Sequence, residues 1–168
     1  MNLKSLHDVY VHELKDLYSA EKQITEALPQ MAEAASDKAL KDAFSHHLKQ
    51  TQTHLQRVHQ ILAEMDVNPG NVKCVGMEGL IKEGEHVIKT AGSKAAKDAA
   101  LISAAQRVEH YEMAAYGSAR THANLLGYSD AANSLQKTLD EEGETNKKLT
   151  KLAEGGSLGE GLNEKAQR

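Results

Sequence analysis

The sequence predicts an all-α fold, and three observations carry that prediction. Ala, Leu, Glu, Lys and Gln are abundant, and these residues give up little freedom on entering a helix. Aromatic strand formers are scarce, with one Phe, five Tyr and no Trp. Apolar residues recur at three- and four-residue spacings over long stretches that only two prolines interrupt. The chain of 168 residues is long enough for one domain with a substantial core.

The first long helix is expected over about residues 3–35. Leu3, Tyr10, Leu17, Ile24 and Met31 recur every seven residues, and His7, Leu14, Glu21 and Leu28 form the neighbouring row. Pro29 removes a backbone donor and crowds the carbonyl of Thr25, which predicts a kink or break near residue 28. Ser36 or Asp37 caps a second helix that runs to about Met65. One of its rows reads Leu40, His47, His54 and Ile61, beside Phe44, Thr51, Val58 and Met65. The stretch DVNPGN, 66–71, is a turn. A shorter helix follows over 73–91. The third long helix covers about 94–126, with Gly127 at its C-terminus, and a fourth runs from Ser129 or Asp130 to about Glu154.

Residues 1–154 therefore form one bundle, and 155–168 are expected to be a flexible, Gly-rich tail. Short connections make each sequential pair of long helices an antiparallel hairpin. The middle connection is long enough to cross the bundle. The result is a ferritin-like antiparallel four-helix bundle with a short extra helix in the crossover between the second and third long helices.

Carboxylates break this apolar pattern. Glu112 lies in the row Ala105, Glu112, Ala119, Leu126, and Glu109 in the flanking row Ile102, Glu109, Tyr116, Ala123. Their three-residue spacing puts both on one face. Glu21 occupies the same kind of slot in the first helix, and Glu142 lies between Leu135 and Leu149 in the fourth. The second helix brings His47 and His54 on its seam, with Gln50 one turn before His54 at the edge. All these positions fall near mid-helix, so antiparallel packing brings them to similar heights. Buried unpaired carboxylates cost several kcal/mol each even after relaxation, and four clustered acids are hard to keep neutral together. Multivalent cations relieve the cost directly, and the donor set suits iron, manganese or zinc. Glu on two helices with Glu and His on the others is the di-iron carboxylate pattern.

Other candidates have simpler readings. His7, His12, His59, His86 and His122 show no convergence, and His46 and His110 point away from the seam. Tyr18 and Tyr116 stand one turn from the acids and are read first as core packing, with hydrogen-bond donation toward the acids as the alternative. Glu141 is turned outward by the heptad phase.

A net charge of −4 gives no basic footprint for nucleic acid. No apolar stretch approaches the roughly 20 residues of a membrane span, and MNLKSLHDVY lacks a signal-peptide core. The single Cys74 excludes an internal disulfide and fits a reducing compartment. A cytoplasmic location is expected.

The stretches DLYSAEKQ (16–23), KCVGMEGLI (73–81), DAALISAAQRVEHYEMAAYG (98–117) and LDEEGETNKKLTKLA (139–153) resemble the YciE/YciF family of bacterial stress-associated proteins, nearer its YciF branch. The resemblance covers about residues 2–153. It implies a homodimeric ferritin-like bundle with a rubrerythrin-like metal site, in a family often labelled as ferroxidases. Glu21, Glu109, Glu112 and Glu142 match its acidic positions. Gln50 stands in place of an acid, His54 where Gln is frequent, and Asn146 where Asp is frequent. The expected metal ligands are thus Glu21, His54, Glu109, Glu112 and Glu142. Gln50 and Asn146 would serve as weak ligands or outer polar groups for one or two iron ions.

The leading functional expectation is an iron-dependent oxidoreductase of the ferroxidase or rubrerythrin type, reducing dioxygen or peroxide. The alternative is a non-catalytic dimeric stress protein with a vestigial metal site, acting through protein partners. An iron-storage shell and a manganese-catalase-like activity are further readings of the same residues.

Overall fold

The computed structural model describes residues 3–156 and 159–168. Met1, Asn2, Ser157 and Leu158 lie outside the described residues, the last two within the Gly-rich stretch. The elements are α1 (Leu6–Ala34), α2 (Lys38–Glu64), α3 (Val75–Lys89), α4 (Lys94–Leu125), α5 (Ser129–Glu154), β1 (Gly155–Gly156), β2 (Gly159–Glu160) and α6 (Leu162–Lys165). The all-α bundle expected from the sequence is what the chain forms, with α3 as the short helix in the crossover. No helix among the described residues is long and apolar enough to cross a membrane.

Local signals set the boundaries. Ser5 and Asp8 form a reciprocal capping box at the start of α1. The Asp37 side chain accepts from the amides of Ala39 and Leu40 to start α2. Gly127, with φ of 81°, provides the left-handed residue after α4. Pro29 does not break α1, which continues to Ala34. Pro29 is exposed, so water can serve the carbonyl that proline leaves without its amide partner.

Apolar packing falls into two clusters. One joins Ile24 and Leu28 of α1, Leu40 and Phe44 of α2, Leu101 and Ile102 of α4 and Leu149 of α5. The other joins Tyr10 and Leu14 of α1, Val58 and Leu62 of α2, Tyr116 and Ala119 of α4 and Leu135 of α5. Late α1 therefore meets early α2, early α4 and late α5, which makes α1 antiparallel to α2 and α4. The clusters close the two ends of the bundle and leave a middle layer between them.

The turn between α1 and α2 is tied to α4. Each carboxylate oxygen of buried Asp98 accepts one backbone amide, from Ser36 at 2.7 Å and Asp37 at 2.9 Å. The chain beyond Glu154 differs from the expected loose tail. Gly155 pairs with Glu160 in a small antiparallel hairpin, and Leu162 is buried in the first cluster. Gly155 has φ of 74°, and a Cβ there would lie 2.4 Å from the Gly161 nitrogen, so glycine permits the reversal. Leu162 anchors the segment against the bundle.

Candidate metal centre

The middle layer receives side chains from all four long helices. Glu21 comes from α1, His47 and His54 from α2, Glu109 and Glu112 from α4, and Glu142 from α5; all six are buried. The seven-residue separation of His47 and His54 places both imidazoles on one face, two turns apart. Glu109 and Glu112 share a face of α4 by their three-residue spacing.

Two groups result, and Glu142 belongs to both. One donor atom from each of His47, Glu109, Glu112 and Glu142 lies within 4.8 Å of the others. Glu21, His54 and Glu142 converge by the same measure. Nε2 of His47 is 3.3 Å from Glu109 Oε1 and 3.8 Å from Glu142 Oε2. Nδ1 of His54 is 2.8 Å from Glu142 Oε1 and 3.8 Å from Glu21 Oε1.

A surrounding layer orients these groups. The Tyr116 hydroxyl donates to Glu21 Oε1. Glu141 Oε2 lies 2.7 Å from His54 Nε2, and Arg57 donates to both oxygens of Glu141 at 2.5 and 3.2 Å. Arg57 also donates to Thr138 Oγ1 at 3.0 Å. The Arg57 hydrogen bonds hold Glu141 below the usual carboxylate range, so Glu141 is ionised and accepts a proton-bearing Nε2 from His54. That leaves Nδ1 of the neutral imidazole as a lone pair aimed into the layer.

The electrostatics of the layer are those of acids placed too close together. Burial pushes Glu109 and Glu112 well above their ordinary range, and neighbouring Glu142 adds to the effect. Glu21 is pushed up to about 8, chiefly by burial. Burial opposes ionisation of Glu142 too, but the imidazoles of His54 and His47 hold it below its usual value. Burial opposes protonation of His54, yet Glu142, Glu21 and Glu141 raise it on balance. Burial lowers His47. Without a cation, burial favours the protonated forms of Glu21, Glu109 and Glu112, while the neighbouring imidazoles favour the ionised form of Glu142.

Protons alone leave the layer poorly satisfied. Glu21 Oε2, His47 Nε2, His54 Nδ1, Glu109 Oε2 and both oxygens of Glu112 and of Glu142 are buried without a hydrogen-bond partner. The close approach of His54 Nδ1 to Glu142 Oε1 lacks hydrogen-bond geometry. Buried polar atoms are normally satisfied, and orphans gathered in one layer point to an ion. Carboxylate oxygens with imidazole nitrogens suit a divalent transition metal. The residues fit such an ion.

The residues singled out from the sequence fare differently. Glu21, His54, Glu109, Glu112 and Glu142 come together. Gln50 is half-buried, with His47 as its neighbour in the site. Asn146 is half-buried and accepts from Gln106 at 3.1 Å. His47 stands among the acids, outside the expected ligand set; its place in one row with His54 was the available signal. Glu141 is not turned away, because it reaches His54 along the α2–α5 edge. Tyr116 also does more than pack.

A family model described as "Domain of unknown function (DUF892)" matches residues 5–166. The chain belongs to the DUF892 family. Protein YciF of Escherichia coli (strain K12) is 48% identical over 154 residues, covering 91% of this chain and 93% of that protein. The crystal structure of that stress protein matches with a TM-score of 0.86 and 47% identity, over 89% of this chain and 94% of its own. A second similar structure is that of YcfI from Rhodopseudomonas palustris, described as a putative structural protein. It has a TM-score of 0.87 and 38% identity over 90% of this chain and 97% of its own. The YciF resemblance carried by the sequence motifs is thereby borne out.

Proposed function

We propose that this chain binds one or two iron ions in its middle layer and uses them for ferroxidase-like or rubrerythrin-like reduction of dioxygen or peroxide. The observation that carries this reading is the set of buried donor atoms without protein partners, drawn from all four long helices. His47, Glu109 and Glu112 would hold one ion, Glu21 and His54 the other, and Glu142 is the residue available to both. Manganese and zinc compete for the same donors. Gln50 and Asn146 serve as outer polar groups. Two Fe²⁺ ions, each giving one electron, would supply the two electrons that with two protons convert dioxygen to hydrogen peroxide, or hydrogen peroxide to two waters.

The chain's own residues set the conditions. The apolar clusters at both ends keep bulk water out of the layer. Glu141 fixes the tautomer of His54, and the Tyr116 hydroxyl steadies Glu21. Burial favours the protonated forms of Glu109 and Glu112, and a cation would compete with those protons. Cys74 is the single cysteine, so electrons come from Fe²⁺ itself or an external donor. The reading includes a cytoplasmic homodimer with a role in stress, and sedimentation at twice 18.3 kDa tests the dimer.

The deciding experiment is anaerobic loading with Fe²⁺, metal analysis, then oxygen-electrode measurement. The expected result is one or two ions per chain and oxygen uptake that depends on them. Protein that retains no metal and consumes no oxygen overturns the reading in favour of a non-catalytic bundle acting through protein partners.

A further inference from the structure

An apolar cavity of about 60 Å³ adjoins the metal centre. Its walls include Leu28, Phe44, Ile81, Ala105, Val108 and Leu149. His47 and Glu109 line it as well, and the same two side chains belong to the four-residue donor group. Exposed Gln30 and Lys148 also border it. Small residues keep it open. Ala27 and Gly84 contribute to the lining, and a Cβ on Gly84 would meet only Met31 Sδ, at 3.6 Å, an ordinary contact. At Gly84 the chain has room for a larger side chain and does not use it. Close-packed interiors leave few such spaces, and apolar ones stay dry and take up nonpolar guests.

We propose that this cavity binds a small nonpolar molecule of the dioxygen class and holds it against the His47–Glu109 edge of the metal centre. Size excludes an aromatic ring or a long alkyl chain. Polarity disfavours peroxide, which would leave its hydrogen bonds to water behind and find few partners along these walls. Dioxygen carries no such penalty. The proposal rests on the metal-binding reading for what the guest meets, so it sharpens that reading from either oxidant to dioxygen. Occupation of the cavity is independent of any metal.

Xenon tests occupation directly. Crystals of the metal-free protein under xenon pressure should show one xenon per chain beside Phe44 and Ala105. Absence of xenon there overturns the proposal even if the protein binds iron. The double substitution Ala27→Leu with Gly84→Ala fills part of the space without touching a donor residue, and Ala27→Leu alone is the milder version. Both should lose the xenon and retain Co²⁺ binding, read from its visible absorption. In iron-loaded protein they should slow oxidation by dioxygen about tenfold, equivalent to a barrier about 1.4 kcal/mol higher, and leave oxidation by peroxide unchanged. Equal slowing of both oxidants, or of neither, overturns delivery through this cavity. Failure to take up Co²⁺ or Fe²⁺ in the wild type overturns the metal reading instead, and the xenon result then decides occupation alone.

Discussion

Asp98 and Glu112 are both buried carboxylates on α4, but their surroundings are opposite. Asp98 receives one backbone amide on each oxygen, both from the turn that starts α2. Glu112 has no hydrogen-bond partner on either oxygen and faces other acids. The chain thus contains, on a single helix, one carboxylate whose charge is met by protein donors and one whose charge is met by none. The first is a structural clamp. The second makes sense when something outside the chain supplies positive charge. The comparison also explains why burial alone is a poor guide to function: both residues are equally hidden, and only the partner inventory separates them.

The most damaging change to the metal side of this contrast should be Glu142→Gln. Glu142 is common to both donor groups, so its loss should weaken binding at both positions by more than about 100-fold, measured by isothermal titration with Co²⁺ or Fe²⁺. Binding within about threefold of wild type would break the two-group picture. Glu141→Gln should come next. It leaves the donor groups in place but loosens the tautomer and orientation of His54, at a cost of about 10- to 100-fold in affinity. A purely surface role for Glu141 predicts no change.

Asp98→Asn should invert the pattern. It places an amide nitrogen where an acceptor is needed, lowers stability by about 1–3 kcal/mol, and leaves metal affinity alone. Urea denaturation and titration of the same sample measure both. Glu112→Gln, in contrast, should leave the metal-free protein as stable as wild type or more so at alkaline pH. Loss of stability there would mean that Glu112 has a structural partner. The smallest effect is expected for Asn146→Ala, which disturbs the Gln106 hydrogen bond and should change metal affinity by less than about threefold.

The pH dependence follows from the same acids. Glu21, Glu109 and Glu112 have folded-state values above their ordinary ones. Between the two values the native state holds protons that the unfolded chain has released, so the unfolding free energy falls as pH rises. For Glu21 this window runs from 4.5 to about 8. The metal-free protein should therefore melt at progressively lower temperature across that interval. A cation competes with those protons, so the gain in melting temperature on adding metal should grow over the same range. Calorimetry at several pH values with and without Zn²⁺ checks both trends; a gain that shrinks with rising pH contradicts the assignment.

Much of the fold was legible because helix periodicity and local punctuation agree. Asp37, Gly127 and the DVNPGN turn each act where their local chemistry predicts. Pro29 does not break the helix, because the effect of a proline depends on which side of the helix it faces, and periodicity at one residue does not weigh solvent access. The segment after Glu154 was misread because composition registers glycines as loose, while one buried leucine suffices to seat the hairpin. At the site, the four acids and His54 were visible as polar breaks in apolar rows. His47 was visible in the same row but left outside the ligand set. Glu141 was hidden because heptad phase describes directions from one helix axis. It cannot say that a long side chain at the edge will bend toward an imidazole on the neighbouring helix.

The two apolar end clusters bear on how the chain would behave without the ion proposed for its middle layer. Small zinc domains collapse when stripped of metal, because the ion is their core. Here Leu28, Phe44 and Leu101 at one end and Leu14, Leu62 and Leu135 at the other knit the rods together without help from the middle. On the metal-binding reading proposed above, the emptied bundle would stay folded and could take up an ion again without being remade.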